Sequence, residues 1–364
     1  MTGSSTALPR IAIIGFAHSP NVVGTHGTTN GVEMLIPCFD KLYAELGITR
    51  TDIEFWCSGS SDYLAGRAFS FISAIDSIGA MPPINESHVE MDGAWALYEA
   101  WVKIASGEVD LALAYGFGKS SAGDSNRTLS MQTDPYTVAP LWPGDRALAG
   151  LQARAGLDAG TWTETDMAAV AARTTGASTD DLLATDYIAN PLRAHDIAPF
   201  TDAAAAVIIA SERRARELVA NPAFVTGWDH RIDSANFGAR DLTISPSTTL
   251  AADTAFGDRT RAVDVAEIAA PYTHQEIIVR NALGLPDSVR INPSGGLLTG
   301  NSLFSGGLQR IGYAAHSILT GDAQTAVAHA TSGPLLQQNM VVTLQGDSNS
   351  GHSKSGDSSV GDDN

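Results

Sequence analysis

Two carboxylates, Glu90 and Asp92, sit where one periodicity gives way to another. From His88 to Asp92 polar and apolar residues alternate, the period of a short strand. After Gly93 the apolar residues Ala94, Leu97, Tyr98, Trp101, Val102 and Ala105 fall at helical spacing. A strand that turns sharply into a helix lifts one side chain to the sheet edge, beside the helix's unpaired N–H groups. Enzymes place nucleophiles at such turns; this chain places Glu90. Two roles fit it: a general base toward a hydroxyl or C–H of a bound group, or a carboxylate that caps the helix. The nearby N–H groups favour its ionised form. His88, Glu90 and Asp92 would share one face if the strand ran on, as in a metal site, but the turn breaks that alignment and no metal is expected. Cys57 ends an apolar run before Ser58-Gly59-Ser60. It is either a relocated nucleophile or a buried structural thiol.

The elements that must position these residues alternate between strand and helix. Buried strands are predicted at Ile11–Phe16, Thr51–Gly59, Asp110–Phe117 and Thr201–Ala210, with helices at Gly31–Leu46, Phe69–Ile78 and Glu212–Ala220. Ser58–Arg67 reads as a Gly/Ser/Asp-rich loop. Gly118–Asp196 breaks the pattern with several Pro and Trp residues and helical patches near Ala147–Ala155 and Glu164–Thr174. Nearly eighty residues between two core strands form an insertion, of the kind that covers a substrate site or makes an interface. The order then repeats: strands at Val225–Ile232, Val263–Ala269 and Arg290–Gly296, a helix at Thr273–Leu283 stopped by Gly284, a helix at Leu303–Leu319, and strands at Thr325–Ala330 and Gln338–Leu344. This order implies a parallel-rich α/β architecture in two similar halves. The division expected is 1–222, with the insertion 118–196, then 223–345, then a Ser/Gly/Asp-rich disordered tail 346–364.

Composition narrows the function classes. With 22 basic and 40 acidic residues the net charge is −18, a surface that repels nucleic acid and anionic membranes. No apolar run is long enough to span a bilayer, and Met1–Arg10 lacks an apolar signal region. Two cysteines, Cys38 and Cys57, make no disulfide framework and fit a reducing compartment. A cytoplasmic protein is expected. An anionic ligand such as a CoA ester would need a local basic or helix-N-terminal site.

Five segments in order resemble the thiolase superfamily, in its branch of sterol carrier protein X and bacterial lipid-transfer-protein thiolases. Glu90-Met91-Asp92-Gly93-Ala94-Trp95-Ala96-Leu97 is similar to Cys-x-x-Gly-x-x-Ala-Leu. Asn292-Pro293-Ser294-Gly295-Gly296, with Gly300–Gly307 after it, is similar to Asn-Pro-x-Gly-Gly followed by Gly-His-Pro-Leu-Gly-Ala-x-Gly. Ser332–Asn339 lies where the family has Gly-x-Cys. Thr201–Val207 resembles Thr-Asp-Gly-Ala-Ala-Ala, and Glu267–Thr273 resembles Glu-Val-His-Asp-Cys-Phe-Ser. The resemblance implies a duplicated αβαβα five-layer fold, a homodimer or a heterodimer with another thiolase-like chain, and a CoA thioester as substrate with no further cofactor.

Every classical catalytic position of that family is replaced. Glu90 stands for the nucleophilic cysteine, Asn301 for the catalytic histidine, Pro334 or Leu335 for the acid/base cysteine, and Ala269-Ala270-Pro271 for His-Asp-Cys. A carboxylate cannot carry the acyl group as a thiolate does. Thiolase-like steroid aldolases of the branch use tyrosines, which points to retro-aldol cleavage of a steroid side-chain β-hydroxyacyl-CoA. Tyr272 or Glu90 would be the base, and Asn301 and Asn292 the hydrogen-bond donors to the enolate. The substrate-binding set is Asn292, Gly295, Gly296 and His274, the glycines serving close backbone packing. Relatives of this kind work with a small partner carrying an OB fold and a zinc ribbon. Two other readings stand beside this one: a non-catalytic subunit of a hetero-complex, and a thiolase or acetyl-CoA acetyltransferase using Cys57.

Overall fold

The computed structural model describes residues 9–25, 31–65, 69–75, 77–79 and 84–347. The chain runs β1 (Ile11–His18), α1 (Gly31–Leu46), β2 (Phe55–Gly59), α2 (Asp62–Ala65), α3 (Ile72–Ile75), β3 (Glu86–Val89), α4 (Gly93–Ala105) and β4 (Leu111–Lys119). The insertion supplies α5 (Ser125–Met131), α6 (Asp145–Ala159), α7 (Glu164–Thr175), α8 (Thr179–Leu183), β5 (Tyr187–Ala189) and β6 (Leu192–Arg193). Then come β7 (Phe200–Ser211), α9 (Glu212–Leu218), β8 (Ala223–Ile232), α10 (Pro246–Phe256), β9 (Val265–Ile268), α11 (Thr273–Leu283) and β10 (Arg290–Ile291). The chain closes with β11 (Asn301–Ser302), α12 (Gly306–Leu319), β12 (Thr325–Ser332) and β13 (Gln338–Gln345).

The strands fall into two blocks of matching design. One reads β3-β2-β4-β7-β1, the other β10-β9-β12-β13-β8. In each, the first two pairings are parallel and the next two antiparallel. The blocks meet where Ala12 and Ile13 of β1 pair with Phe224 and Ala223 of β8. Half of each block is therefore antiparallel, where a parallel-rich sheet was expected. Short returns such as Gly333–Gln337 between β12 and β13 need no crossover helix, so those strands come back antiparallel.

Three apolar clusters fill the spaces between five layers. The middle one joins α4 and α12, through Ala94, Leu97, Leu308 and Ile311, to inner-facing residues of both blocks such as Val207 and Val342. A second packs α1, through Leu35, Phe39 and Leu42, on the opposite face of the first block. A third packs α10 and α11, through Phe256, Ile278 and Leu283, on the far face of the second. Val207 and Ile208 go to different clusters, as the two-residue period of a strand buried on both faces requires. No helix among the described residues is long and apolar enough to cross a membrane.

Several expected boundaries shift for local reasons. The strand expected from Thr51 starts at Phe55, because Thr49 and Asp52 bond reciprocally and hold a short 3-10 turn at Arg50–Asp52. The helix expected over Phe69–Ile78 is confined to α3. The loop expected at Ser58–Arg67 contains α2. The tail expected from Gly346 lies outside the described residues from position 348 onward.

Candidate active site

Two helices begin at one carboxylate. Asp92 caps α4, its Oδ1 accepting from the Ala94 N–H at 2.9 Å. The same side chain accepts from the first turn of α12, from Leu308 N–H at 2.9 Å and Gly307 N–H at 3.0 Å. The Gly93 N–H donates to the Phe304 carbonyl at 2.9 Å, which locks the two helix starts together. A Cβ on Gly307 would come within 2.7 Å of Asp92 Oδ1, so the approach needs glycine. Burial pushes the Asp92 carboxyl above its ordinary range, and the three N–H donors oppose that shift. With three lone-pair sites filled by backbone donors, Asp92 is a joint rather than a nucleophile.

Asp92 also forms one wall of a cavity of about 100 Å³, with Asp145, Asn301, Ala269, Leu297 and Thr331 among the other lining residues. That is well under the roughly 300 Å³ at which pockets for whole small molecules begin. Asp145 opens α6, in the insertion, which thereby covers the site. The Tyr272 hydroxyl donates to Asp145 Oδ2. Burial raises the Asp145 carboxyl, and the Tyr272 bond acts against that. The Tyr272 hydroxyl is pushed far above the usual phenol range by burial first and then by the Asp145 charge. A phenol so placed stays protonated and donates; the group able to accept a proton is Asp145. Asn301 is buried and lines the cavity, and its amide has no hydrogen-bond partner among the described residues.

The residues expected from sequence divide accordingly. Tyr272 reaches this cavity through Asp145, and Asn301 lines it. Glu90 is not among the lining residues. β3 ends at Val89, and the Glu90 side chain turns outward, 41% exposed, to accept from the Asp62 N–H at 2.7 Å. Asn292 is not among the residues that line this cavity. Its Oδ1 accepts from Ile268 N–H at 2.6 Å and its Nδ2 donates to Glu276 at 2.8 Å, which ties the amide to β9 and α11. Gly295 and Gly296, with φ of 94° and 64°, shape the turn that follows Asn292. They lie in the backbone and offer no side chain to a ligand. His274 is fully buried in the first turn of α11 against the rings of Trp162 and Tyr272, behind the cavity rather than in it. Cys57 lies in the middle core and donates to Glu99 at 3.7 Å; burial pushes its thiol up, the opposite of an activated nucleophile.

Three groups take roles that the sequence reading did not assign them. Asp145 follows Pro143-Gly144 at a helix start, a visible signal of an N-terminal acid but not of a site. Asp92 directly before Gly93 carries the signature of an N-cap. Arg310 of α12 and Glu267 of β9 form a fully buried ion pair at 2.8 Å. Ser294 donates to Glu267 at 2.7 Å, which fixes the Asn292–Gly296 turn against both elements. Away from the cavity, Asp62, His88 and Glu90 bring three potential metal-ligand atoms within 4.8 Å of one another. The strand alignment of His88, Glu90 and Asp92 is broken because Asp92 turns in, and Asp62 takes the third place.

The doubled five-strand blocks, with helices between and outside them, define a thiolase-like duplicated αβαβα five-layer fold. The chain is similar to human mitochondrial 3-ketoacyl-CoA thiolase, with a TM-score of 0.75 and 15% identity over 94% of this chain and 100% of that one. It is similar to an Ltp2-ChsH2(DUF35) aldolase, with a TM-score of 0.72 and 15% identity over 92% of this chain and 98% of that one. It is similar to the Bacillus anthracis acetyl-CoA acetyltransferase, with a TM-score of 0.74 and 14% identity over 94% of this chain and 100% of that one. No family model matches the chain, and no curated protein matches it by sequence. At these identities the likeness is one of fold.

Proposed function

We propose that the chain is a carbon–carbon lyase that cleaves a β-hydroxyacyl-CoA by retro-aldol chemistry. The observation that carries this reading is the Tyr272–Asp145 hydrogen bond at the wall of a cavity that also holds the Asn301 amide, which has no partner among the described residues. The Asp145 carboxylate removes the β-hydroxyl proton. The Cα–Cβ bond breaks, its electron pair passes to the thioester as an enolate, and the Asn301 N–H groups donate to the enolate oxygen. The proton returns from Asp145 to Cα, which gives a ketone or aldehyde and a shortened acyl-CoA. Tyr272 is a positioning residue that orients Asp145. No covalent nucleophile is required, which suits a site whose turn carries Asp92 and whose Cys57 is buried elsewhere.

A steroid side chain is the substrate that the resemblance favours, with its ring system outside a cavity of about 100 Å³. One neighbour in structure is an aldolase named as an Ltp2-ChsH2(DUF35) pair, which supports a second chain as partner. The OB-fold and zinc-ribbon protein expected from sequence fits that role, in the cytoplasm.

A second reading, the non-catalytic subunit, draws on Asp92. The N–H groups at the starts of α4 and α12, which would serve a substrate oxyanion, are taken by the chain's own carboxylate. One experiment separates the two. The chain is incubated, alone and with candidate partners, with a β-hydroxyacyl-CoA, and ketone and shortened acyl-CoA are measured by mass spectrometry. Product that disappears in Asp145→Asn supports the lyase. Absence of product in every pairing, with a stable hetero-complex on sizing, supports the subunit.

A further inference from the structure

We propose that Asp62, His88 and Glu90 form a binding site for a first-row divalent cation of the zinc class, separate from the cavity. The site follows from sheet register. β2 and β3 are parallel neighbours with Ser58 opposite His88 and Gly59 opposite Val89. The chain therefore leaves both strands at the same end, and Asp62, at the start of α2, meets Glu90, just past β3.

Each ligand is oriented by a second group. The His88 Nδ1 bonds Ser58 Oγ at 2.9 Å, and the ring stacks on Phe71 at 4.7 Å between centroids. That leaves Nε2 directed at Glu90 Oε2, 3.5 Å away. A histidine tied through one nitrogen and open at the other is the arrangement that metal-ligating histidines show. Asp62 is held by the N–H groups of Phe69 at 2.9 Å and Ser70 at 2.8 Å, and Glu90 by the Asp62 N–H at 2.7 Å. Each carboxylate keeps lone pairs beyond those bonds.

The distances suit one ion. Ligand bonds of about 2.0–2.2 Å put neighbouring donor atoms roughly 3–3.5 Å apart, and the His88–Glu90 pair is at 3.5 Å. The widest separation in the group, within 4.8 Å, closes by adjustment of the exposed Glu90 carboxylate. One imidazole and two carboxylates neutralise a divalent charge and select a borderline cation over calcium or magnesium, which take oxygen alone. Three protein ligands leave an open position for water, and Asp62 also lines an adjoining open cavity of about 610 Å³. A net charge of −18 raises the local cation concentration.

The test is calorimetric titration of the chelator-treated full chain with zinc chloride, paired with cobalt(II) absorption in the visible. One equivalent bound, with d–d bands and at least tenfold weaker binding in His88→Ala and in Glu90→Gln, is the expected result. Ser58→Ala, which touches no ion, weakens binding about tenfold through the His88 ring. His316→Ala, an exposed histidine on α12, leaves it unchanged. Glu90→Gln alters a half-exposed side chain, and circular dichroism checks its fold. Absence of a bound equivalent, or an equivalent that persists in both His88→Ala and Glu90→Gln, overturns the proposal.

Discussion

Asp92 accepts three backbone hydrogen bonds, from the first turns of α4 and α12, whereas Asp145, on the wall of the same cavity, accepts one, from the Tyr272 hydroxyl. An ionised carboxylate has about four lone-pair sites. Asp92 has nearly filled them, so protonating or displacing it disturbs two helix starts. Asp145 has most of its capacity left and can take a proton at the cost of one bond. Burial raises both carboxyl groups, so burial does not separate them. Lone-pair occupancy does: it makes one a structural joint and leaves the other free for chemistry.

Asp145→Asn puts the greatest strain on that contrast. It keeps the shape and removes the proposed base, so kcat/KM for the proposed β-hydroxyacyl-CoA cleavage falls about 10²- to 10⁴-fold, while stability in urea changes by no more than about 1 kcal/mol. Because burial raises Asp145, the wild-type rate should rise with pH through a midpoint above the ordinary carboxylate range, the ionised form being active. That limb disappears in the variant. Retention of wild-type kcat/KM would remove Asp145 from the chemistry. Asp92→Ala comes next. Loss of caps at two helices, each about 1 kcal/mol and more for a charged acceptor, lowers stability by about 3 kcal/mol. A urea midpoint that scarcely moves would show the joint to be incidental.

What was legible in the sequence follows the same division. Strands such as β7 and helices such as α11 declare themselves, because a two-sided apolar run and Gly284 after Leu283 are local signals. Tyr272 and Asn301, each picked out by a motif, lie at this cavity. Asp145 was not picked out, because it comes from an insertion and meets Tyr272 only across 127 positions of chain. Glu90 was misplaced by a finer effect. The turn at Gly93 is where it was expected, but which of three residues faces inward depends on where β3 ends. It ends at Val89, so Asp92, with φ −60° and ψ 146°, points in and Glu90 out. A spacing count cannot resolve that.

Asn301→Ala probes the cavity from a third side. It removes the proposed donor to the enolate while leaving both carboxylates in place. The expected loss is on the order of 10²-fold in kcat, with KM little changed, since the donor acts where charge develops. A rise in KM alone would make Asn301 a ground-state contact and shift stabilisation of the enolate elsewhere.

The smallest effect tests whether the wall behind Tyr272 is dry. His274 packs its ring against those of Tyr272 and Trp162, at 5.9 and 6.0 Å between centroids, and neither ring nitrogen has a partner among the described residues. Burial pushes its pKa down to about 3. The unfolded chain binds that proton near pH 6.5 and the fold does not until about pH 3, so His274 costs stability as pH falls below 6.5. The slope approaches about 1.4 kcal/mol per pH unit. His274→Phe, which keeps an aromatic ring, abolishes this contribution. Its stability relative to wild type should therefore improve by about 1 kcal/mol between pH 7.5 and pH 5.5 in urea titrations. His329, buried and pushed down to about 4, contributes equally to both proteins and cancels. An unchanged difference across that range would mean that His274 is solvated in the fold. The same water would then reach the Tyr272–Asp145 pair and bring the Asp145 carboxyl back toward its ordinary range, and with it the acid limb of the rate profile.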